Sequence, residues 1–121
     1  MPSQEQVSQW VDGYRTAWES NDPEDIGRLF TEQALYYTEP HATPWRGRQA
    51  IVDGWIGIKD EPGDTDFSWD LLATDGDLAI VQGQTLYHDP LLRYSNLWLI
   101  RLDPNGQATE FTEWWMQHDD E

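Results

Sequence analysis

Cysteine is absent from this 121-residue sequence, which excludes disulfides, thiolate nucleophiles and cysteine-based metal sites. Positive charge is scarce: seven Lys and Arg residues stand against 23 Asp and Glu residues, and the net charge is −16. Because nucleic acids and anionic membranes bind through positive charge, we expect neither as a partner. No apolar run approaches the roughly 20 residues that span a bilayer, and residues 1–10 lack the apolar region of a signal peptide. We therefore expect a cytoplasmic protein.

Aromatic residues, in contrast, are abundant: the chain has eight Trp, five Tyr and three Phe. Large rings often line ligand pockets, but they also fill the cores of small proteins and the interfaces between subunits. At this length we expect a single domain, residues 1–121, that is large enough for a core. Most of the rings should then belong to the core or an interface, and the rest to a pocket.

The first half of the chain has helical patterns. Ser3 followed by Gln6 predicts a capping box, and apolar residues at helical spacing extend the helix to about Ser20. Asp22-Pro23 is typical of the cap and first residue of a second, short helix. Its buried side would consist of Ile26, Leu29 and Phe30. A third helix is predicted over residues 48–58.

Strands and turns are predicted mainly in the second half of the chain, with one short strand before the third helix. Predicted strands cover residues 34–39, 67–74, 78–87, 93–102 and 107–117, and loops cover 41–47, 60–66 and 88–92. Asp75-Gly76 is a hairpin signal, and residues 103–106 form a second turn. Helices gathered on one face of an antiparallel meander predict an α+β domain. A curved sheet closed by helices leaves a concave cavity of the kind that small-molecule sites favour.

The final strand combines carboxylates with large rings. Because side chains alternate along a strand, Phe111, Glu113 and Trp115 share one face. The other face carries Glu110, Thr112, Trp114 and Met116. A carboxylate held against rings is desolvated, which raises its pKa and suits it to proton transfer. Alternation alone leaves open which face borders the cavity.

Several strings, in their order and spacing, resemble the NTF2-like superfamily, and most closely its SnoaL-like and ketosteroid-isomerase-like members. They are YRTAW (14–18), NDPEDI (21–26), WRGRQAI (45–51), LIRLDPNG (99–106) and EWW (113–115). The resemblance implies a cone-shaped α+β fold, with three N-terminal helices packed on a curved, mainly antiparallel sheet. Members of this superfamily include isomerases, cyclases, dehydratases, epoxide hydrolases and non-catalytic binders, so fold alone does not give the activity.

The resemblance also assigns positions. Tyr14 matches the oxyanion-stabilising tyrosine of ketosteroid isomerases, and Glu39-Pro40 resembles their general base, an Asp followed by Pro. The second oxyanion donor of those enzymes is an acid, and Trp98 occupies its place here. Although an indole can donate a hydrogen bond, this departure argues against a steroid isomerase. The family's last strand points alternate residues into the cavity, which here selects Phe111, Glu113 and Trp115.

We therefore predict Glu113, Glu39 and Tyr14 as catalytic residues. Each has a structural alternative: Glu113 could pair with Arg101 or be exposed, Glu39 could be an exposed loop acid, and the ring of Tyr14 could be core. The predicted ligand-binding residues are Trp18, Tyr36, Trp55, Asn96, Trp98, Phe111 and Trp115.

The three histidines do not have metal-ligand spacing, and we predict no metal site. His41 could pair with Glu39 at the mouth of a pocket, and His88 could lie in a loop over its entrance. Solvated loop positions are the commoner explanation for both. His118 is predicted to belong to a frayed tail.

Two functions are consistent with these residues. One is a cofactor-free enzyme that transfers protons on a small hydrophobic or aromatic molecule, by isomerisation, cyclisation, dehydration or epoxide opening. The other is a non-catalytic ligand-binding or accessory protein; a structural dimer without a ligand is a third reading. The resemblance implies a homodimer through the outer sheet face, where Leu97, Leu99, Trp114 and Met116 would lie.

Overall fold

A computed structural model describes residues 3–57, 65–88 and 91–118. Its elements are α1 (Gln4–Ser20), α2 (Pro23–Gly27), β1 (Phe30–Tyr37), β2 (Trp45–Arg46), α3 (Arg48–Gly57), β3 (Thr65–Asp75), β4 (Leu78–His88), β5 (Leu91–Leu102) and β6 (Ala108–Gln117). One sheet contains all six described strands in the order β2-β1-β6-β5-β4-β3. Every neighbouring pair is antiparallel except β1 and β6, which are parallel. The predicted α+β class and cone-type architecture are confirmed.

The predicted starts of α1 and α2 are confirmed by their caps. Ser3 accepts a hydrogen bond from the Gln6 backbone, and the Gln6 side chain accepts one from the Ser3 backbone, so both halves of the capping box are present. The Asp22 side chain accepts a hydrogen bond from the Glu24 backbone at the start of α2. The end of α2 was predicted too late, because the helix stops at Gly27 and Phe30 already belongs to β1.

The early start of β1 has a non-local cause. Phe30 pairs with Ala108 of β6, and the Ala108 backbone N–H donates to the carbonyl of Leu29 at 2.7 Å. No local pattern reveals a partner so distant in sequence. β2 was predicted as loop, but Trp45 pairs with Tyr36 and makes a short edge strand.

The hairpin predicted at Asp75-Gly76 is confirmed, and Gly76 adopts a φ of 60°, which favours glycine. The predicted loop 88–92 is shorter than expected, because β4 extends to residue 88 and β5 begins at residue 91. β3 likewise begins at residue 65 rather than 67. The predicted end of the third helix at residue 58, and most of the predicted loop 60–66, lie outside the described residues.

The helices cover one face of the sheet. α1 buries one stripe of side chains: Val7, Trp10, Val11, Tyr14 and Ala17. The sheet supplies alternate residues of its long strands to the same core, including Val81, Trp98, Ile100 and Phe111. None of the described helices combines the length and apolar character that crossing a membrane requires. The opposite sheet face is open and carries the exposed side chains of Trp114 and Met116.

Candidate functional site

A cavity of about 300 Å³ lies between the helices and the inner face of the sheet. Nine of its twelve described lining residues are Trp or Tyr, and the other three are Thr85, Asn96 and Glu113. The nine aromatic residues are Tyr14, Trp18, Tyr36, Trp45, Trp55, Tyr87, Tyr94, Trp98 and Trp115. Half of the Trp115 surface is exposed, which places this residue at the open end of the cavity. The described lining of the site is therefore mainly aromatic and contains a single carboxylate.

Strand register brings the polar groups together. β5 and β6 pair Trp98 with Glu113 and Asn96 with Trp115, so all four side chains face the cavity. Asn96 Nδ2 and Trp98 Nε1 both donate to Glu113 Oε2, at 2.7 and 3.1 Å. Since these groups can only donate, they stabilise the ionised carboxylate and fix its position.

The orientation of the Asn96 amide is itself fixed. Thr85 Oγ1, on β4, donates to Asn96 Oδ1 at 2.7 Å. With the amide oxygen occupied in this way, the amide nitrogen faces Glu113. Thr85 and Asn96 are buried, so the three side chains form a satisfied polar row inside an apolar wall. The row holds the half-buried Glu113 carboxylate in one geometry.

Two tyrosine hydroxyls form the second polar feature. Tyr14 of α1 and Tyr36 of β1 are hydrogen-bonded, with 3.0 Å between their oxygens. Burial raises the pKa of both hydroxyls, and the negative charge of Glu113 raises it further. Both groups therefore stay protonated at neutral pH. Because only one of them donates in the shared bond, the other retains a proton for a ligand oxygen.

Ring packing holds these tyrosines in place. The Tyr14 ring lies 4.5 Å from Trp98 and 4.8 Å from Trp55, measured between centroids. The Tyr36 ring stacks on Trp45 at 4.9 Å. Such contacts add to the burial of each ring, so the wall is preorganised rather than assembled by a ligand.

Most of the predicted site residues meet in this cavity. Tyr14 and Glu113 line it, as do six predicted ligand-binding residues: Trp18, Tyr36, Trp55, Asn96, Trp98 and Trp115. Phe111 is fully buried behind the wall, with its ring 4.7 Å from that of Tyr36, and does not line the cavity. These are statements of position; the roles of the residues stay predictions.

Glu39 is not brought to the cavity. It lies in an exposed bend beyond the end of β1, away from the described lining residues. The predicted alternative of a Glu113–Arg101 pair is wrong, because Arg101 contacts Asp77 at 2.7 Å and Glu110 at 3.3 Å on the outer side. Glu113 is thus the only acid among the described residues that line the cavity.

Four lining residues were not among the predicted site residues: Trp45 of β2, and Thr85, Tyr87 and Tyr94 on the long strands. For the last three, the missing signal was the alternation of side chains along β4 and β5. Tyr94 shares its face with Asn96, and Thr85 and Tyr87 share theirs with the buried Val81. Assigning every second residue of β4 and β5 to the cavity face would have identified Thr85, Tyr87 and Tyr94.

His41 and His118 are not among the residues that line the cavity. His41 is exposed, and the side chain of His88 lies outside the described part of the structure. The prediction that His118 belongs to a frayed tail is wrong: its backbone N–H donates to the Arg93 carbonyl, and Nε2 lies 2.7 Å from Ser95 Oγ. Within the described residues, no group of three or more His, Asp or Glu side chains is arranged to hold a metal ion.

The fold and the cavity together define a cone-shaped α+β domain of the NTF2-like superfamily. Residues 11–120 match the family profile of the SnoaL-like domain, which covers most of the chain. The chain therefore belongs to the SnoaL-like family. No curated protein is significantly similar to it in sequence.

Several solved structures share the fold. SalBIII, an epoxide hydrolase/cyclase-like enzyme with a role in pyran ring formation in the polyether salinomycin, is 18% identical with a TM-score of 0.72; the match covers 96% of this chain and 95% of SalBIII. A proposed ketosteroid isomerase from Kribbella flavida is 20% identical with a TM-score of 0.68, covering 97% and 82%. An NTF-2 like protein of unknown function from Burkholderia xenovorans is 13% identical with a TM-score of 0.72, covering 98% and 88%. These identities show a common fold only.

Proposed function

We propose that this protein is a cofactor-independent enzyme that transfers a proton on a small, mainly hydrophobic molecule held in the aromatic cavity. The observation that carries this proposal is the fixed Glu113 carboxylate, held by Asn96 and Trp98 in a chamber whose other described lining residues include no acid. A positioned carboxylate in a mainly aromatic cavity is suited to act as a general base. Glu113 is accordingly the proposed acid/base residue.

The arrangement suits isomerisation of an unsaturated carbonyl compound in which a single CH₂ group separates a C=C bond from the carbonyl. The Glu113 carboxylate would take a proton from a carbon beside the carbonyl, and the electron pair of that C–H bond would move onto the carbonyl oxygen. The free proton of the Tyr14–Tyr36 pair would hydrogen-bond to this oxygen and stabilise its charge. The resulting carboxylic acid of Glu113 would then return the proton to the far carbon of the C=C bond. The carbonyl re-forms, the double bond moves next to it, and the carboxylate is regenerated. The cycle requires no redox step and no cofactor.

The neighbouring structures support this type of chemistry. One is described as an epoxide hydrolase/cyclase-like enzyme and another as a proposed ketosteroid isomerase. Both reaction types depend on a proton moving to or from a positioned group inside a cavity. Epoxide opening or cyclisation with Glu113 as base is therefore part of the same proposal.

A second candidate is a binding protein on the same fold. It is favoured by two observations: Glu113 Oε2 already accepts two hydrogen bonds, and Trp98 donates from the position where the ketosteroid isomerases have an acid. A chamber with one hydrogen-bonded carboxylate can hold a ligand without reacting with it.

The two candidates are separated by a proton-exchange experiment in D₂O. A panel of cyclic and aromatic ketones is incubated with the protein, and exchange of the hydrogens beside the carbonyl is followed by NMR. We expect exchange above the buffer rate in the wild type and a loss of about 10²–10⁴-fold in Glu113→Gln.

Glu110→Gln is the matched control, because Glu110 lies on the same strand with the opposite phase and pairs with Arg101. It should change the exchange rate by no more than about twofold. Ketones that bind without exchanging above the Glu113→Gln rate would contradict the enzyme and support the binder.

We also propose that the protein is a homodimer through its outer sheet face. Trp114 and Met116 are 43% and 57% exposed there, beside the partly buried Leu97 and Leu99. Large apolar side chains grouped on an open sheet face favour burial against a second copy.

A further inference from the structure

We propose that the free edge of β3 is a docking site for an extended protein segment in which basic and apolar residues alternate. The segment would add one strand to the sheet, beside residues 65–71 of β3. This site is separate from the aromatic cavity and does not depend on the function proposed for it.

β3 is a long strand at the edge of the sheet. It has 11 residues and pairs on one side with β4, and none of the described strands pairs with its other side. β2, at the opposite edge, has two residues. Because the N–H and C=O groups of successive residues point to opposite sides of a strand, alternate residues of β3 direct theirs away from β4. Such a row of groups can form a ladder with an added strand.

The first part of β3 lacks the residues that commonly block a sheet edge. Its sequence, TDFSWDL (65–71), contains no Lys and no Pro, and its pairing with β4 is regular from Thr65 to Leu71. A bulge between Leu71 and Ala73 then interrupts the register. An added strand would therefore pair along residues 65–71, before the bulge.

The inner face of this edge favours apolar residues in the partner. Phe67, Trp69 and Leu71 alternate along β3, and they are only partly buried although they pack against the core. Phe67 is held in place by stacking on Trp98, with 5.0 Å between the ring centroids. Apolar side chains on a neighbouring strand would cover the exposed parts of these residues, which is favourable. Every second residue of the partner should therefore be apolar.

The outer face favours basic residues at the positions between them. Asp70 is exposed there and pairs with Gln82 of β4, which is exposed and uncharged. A Lys or Arg of an added strand would lie beside Asp70 and form a cross-strand ion pair with it. The net charge of −16 attracts a basic segment over a longer range.

Charge also argues against a second copy of the chain as the occupant of this edge. Antiparallel pairing of two β3 strands about a two-fold axis would bring the exposed acids of one strand close to those of the other. Like charges on paired strands are unfavourable, and both chains would carry a net charge of −16. A basic segment meets no such repulsion.

The test uses three synthetic peptides of equal length, each of seven residues. The first alternates Lys and Val. The second has the same side chains but is methylated at every backbone nitrogen, so it cannot donate backbone hydrogen bonds, and the third has Glu in place of Lys. Binding is measured by calorimetry at low salt. We expect the first peptide to bind at least about tenfold more tightly than either of the others.

Amide hydrogen exchange, followed by NMR, locates the bound peptide. In the free protein we expect slow exchange at those amides of residues 65–71 that donate to β4, and fast exchange at the amides between them. A saturating amount of the Lys-Val peptide should slow the fast set by about tenfold or more. The amides of β2, at the opposite edge, should exchange as before.

Two charge reversals separate a local contact from general attraction. Asp70→Lys should weaken binding of the Lys-Val peptide by about three- to tenfold, because it places like charges side by side. Asp12→Lys is the matched control, since Asp12 is exposed on α1 and its replacement changes the net charge by the same amount. It should alter the affinity by no more than about twofold.

Equal binding of the methylated peptide overturns the inference, because the attraction would then need no strand pairing. Equal weakening by Asp70→Lys and Asp12→Lys also overturns it, as does a peptide that leaves the amides of residues 65–71 unaffected. Slow exchange of all these amides in the free protein would show that the edge is already covered. It would be covered by a second copy if the protection depends on protein concentration, and by the same chain if it does not; both results contradict the inference.

Discussion

The row of hydrogen bonds from Thr85 through Asn96 to Glu113 depends on a single hydroxyl at its far end. Thr85→Val keeps the shape of that side chain and removes the donor to Asn96 Oδ1. The buried amide oxygen then loses its hydrogen bond, and we expect the free energy of unfolding to fall by about 1–3 kcal/mol in urea denaturation. The position of Glu113 would also be less strictly defined.

Thr112→Val is the control for this prediction. Thr112 lies on the outer phase of β6, beside Glu113 in sequence, and pairs with Leu99. It should change the free energy of unfolding by no more than about 0.5 kcal/mol. Equal losses in both variants would show that the hydroxyl of Thr85 has no special role.

Because of the Tyr14–Tyr36 pair, we expect the free energy of unfolding to vary with pH in the alkaline range. Burial raises the pKa of both hydroxyls above the ordinary value of about 10, so above that pH the folded chain retains protons that the unfolded chain releases. Below about pH 10 the two hydroxyls do not reduce the free energy of unfolding. Above that pH the free energy of unfolding decreases as pH rises. Each tyrosine contributes up to about 1.4 kcal/mol per pH unit to this decrease.

The measurement is urea denaturation at a series of pH values from about 8 to 11. Tyr36→Phe removes one titrating hydroxyl and should lower the slope of stability against pH above 10. Absorbance of tyrosinate should show two hydroxyls that ionise only on unfolding. A slope that is the same in Tyr36→Phe and wild type would contradict the buried-pair explanation.

Among the elements, α3 meets β2 at a glycine. A Cβ built on Gly54 would lie 2.4 Å from the ring of Trp45, a residue of the cavity wall. Gly54→Ala gains about 1 kcal/mol of helix propensity but must displace this ring, and overpacking costs about 1–3 kcal/mol. We expect a net loss of thermal stability together with weaker ligand binding.

Gly57 provides the matched comparison in the same helix, since no described atom lies within 4 Å of a Cβ at that position. Gly57→Ala should retain or raise the melting temperature, because it keeps the propensity gain without the clash. If Gly54→Ala were also stabilising, the packing of α3 against Trp45 would be looser than the structure shows.

Elements set by local signals were predictable from the sequence, and elements set by distant partners were not. The caps at Ser3 and Asp22 and the hairpin at Gly76 depend on neighbouring residues alone, and all three were predicted. β1 begins at Phe30 because of a parallel partner far along the chain, and β2 exists because Trp45 pairs with Tyr36. Pairing with a strand that is distant in sequence produces no periodic pattern of residues from which it could be predicted.

The residues of the site can be sorted by the same criterion: some follow from local sequence patterns, and others depend on partners that are distant in sequence. Strand alternation with the family phase led to Glu113, Asn96 and Trp98, because a side chain's face follows from its register. Glu39 was placed by analogy with an Asp-Pro pair, and the end of β1 at Tyr37 leaves it in an exposed bend. The hydrogen bonds that hold Glu113 arise from cross-strand pairing, which sequence spacing does not specify.

At the scale of the whole molecule, two adjacent tryptophans on β6 lie on opposite faces of the sheet. Trp114 faces the open side of the sheet and Trp115 the cavity, and they are similarly exposed, at 43% and 50%. If the outer face is the dimer interface, Trp114→Ala should shift the protein towards monomer in sedimentation velocity because it removes the largest exposed apolar contact. Trp115→Ala should leave the dimer unchanged and weaken ligand binding.

Wild-type protein that sediments as a monomer at every concentration would contradict the dimer proposal. Equal dissociation by both variants would show instead that the end of β6, rather than one of its faces, supports assembly.

The place of β6 in the sheet has a consequence for biosynthesis. It follows the other described strands in the chain, yet it lies between β1 and β5 and carries Glu113. Until the ribosome has released it, the β1 edge facing β6 and the β5 edge have no partner, and exposed strand edges are prone to aggregation. The Glu113 carboxylate and its two donors come together only when this strand docks, so the cavity of the nascent chain lacks its carboxylate until β6 has been synthesised.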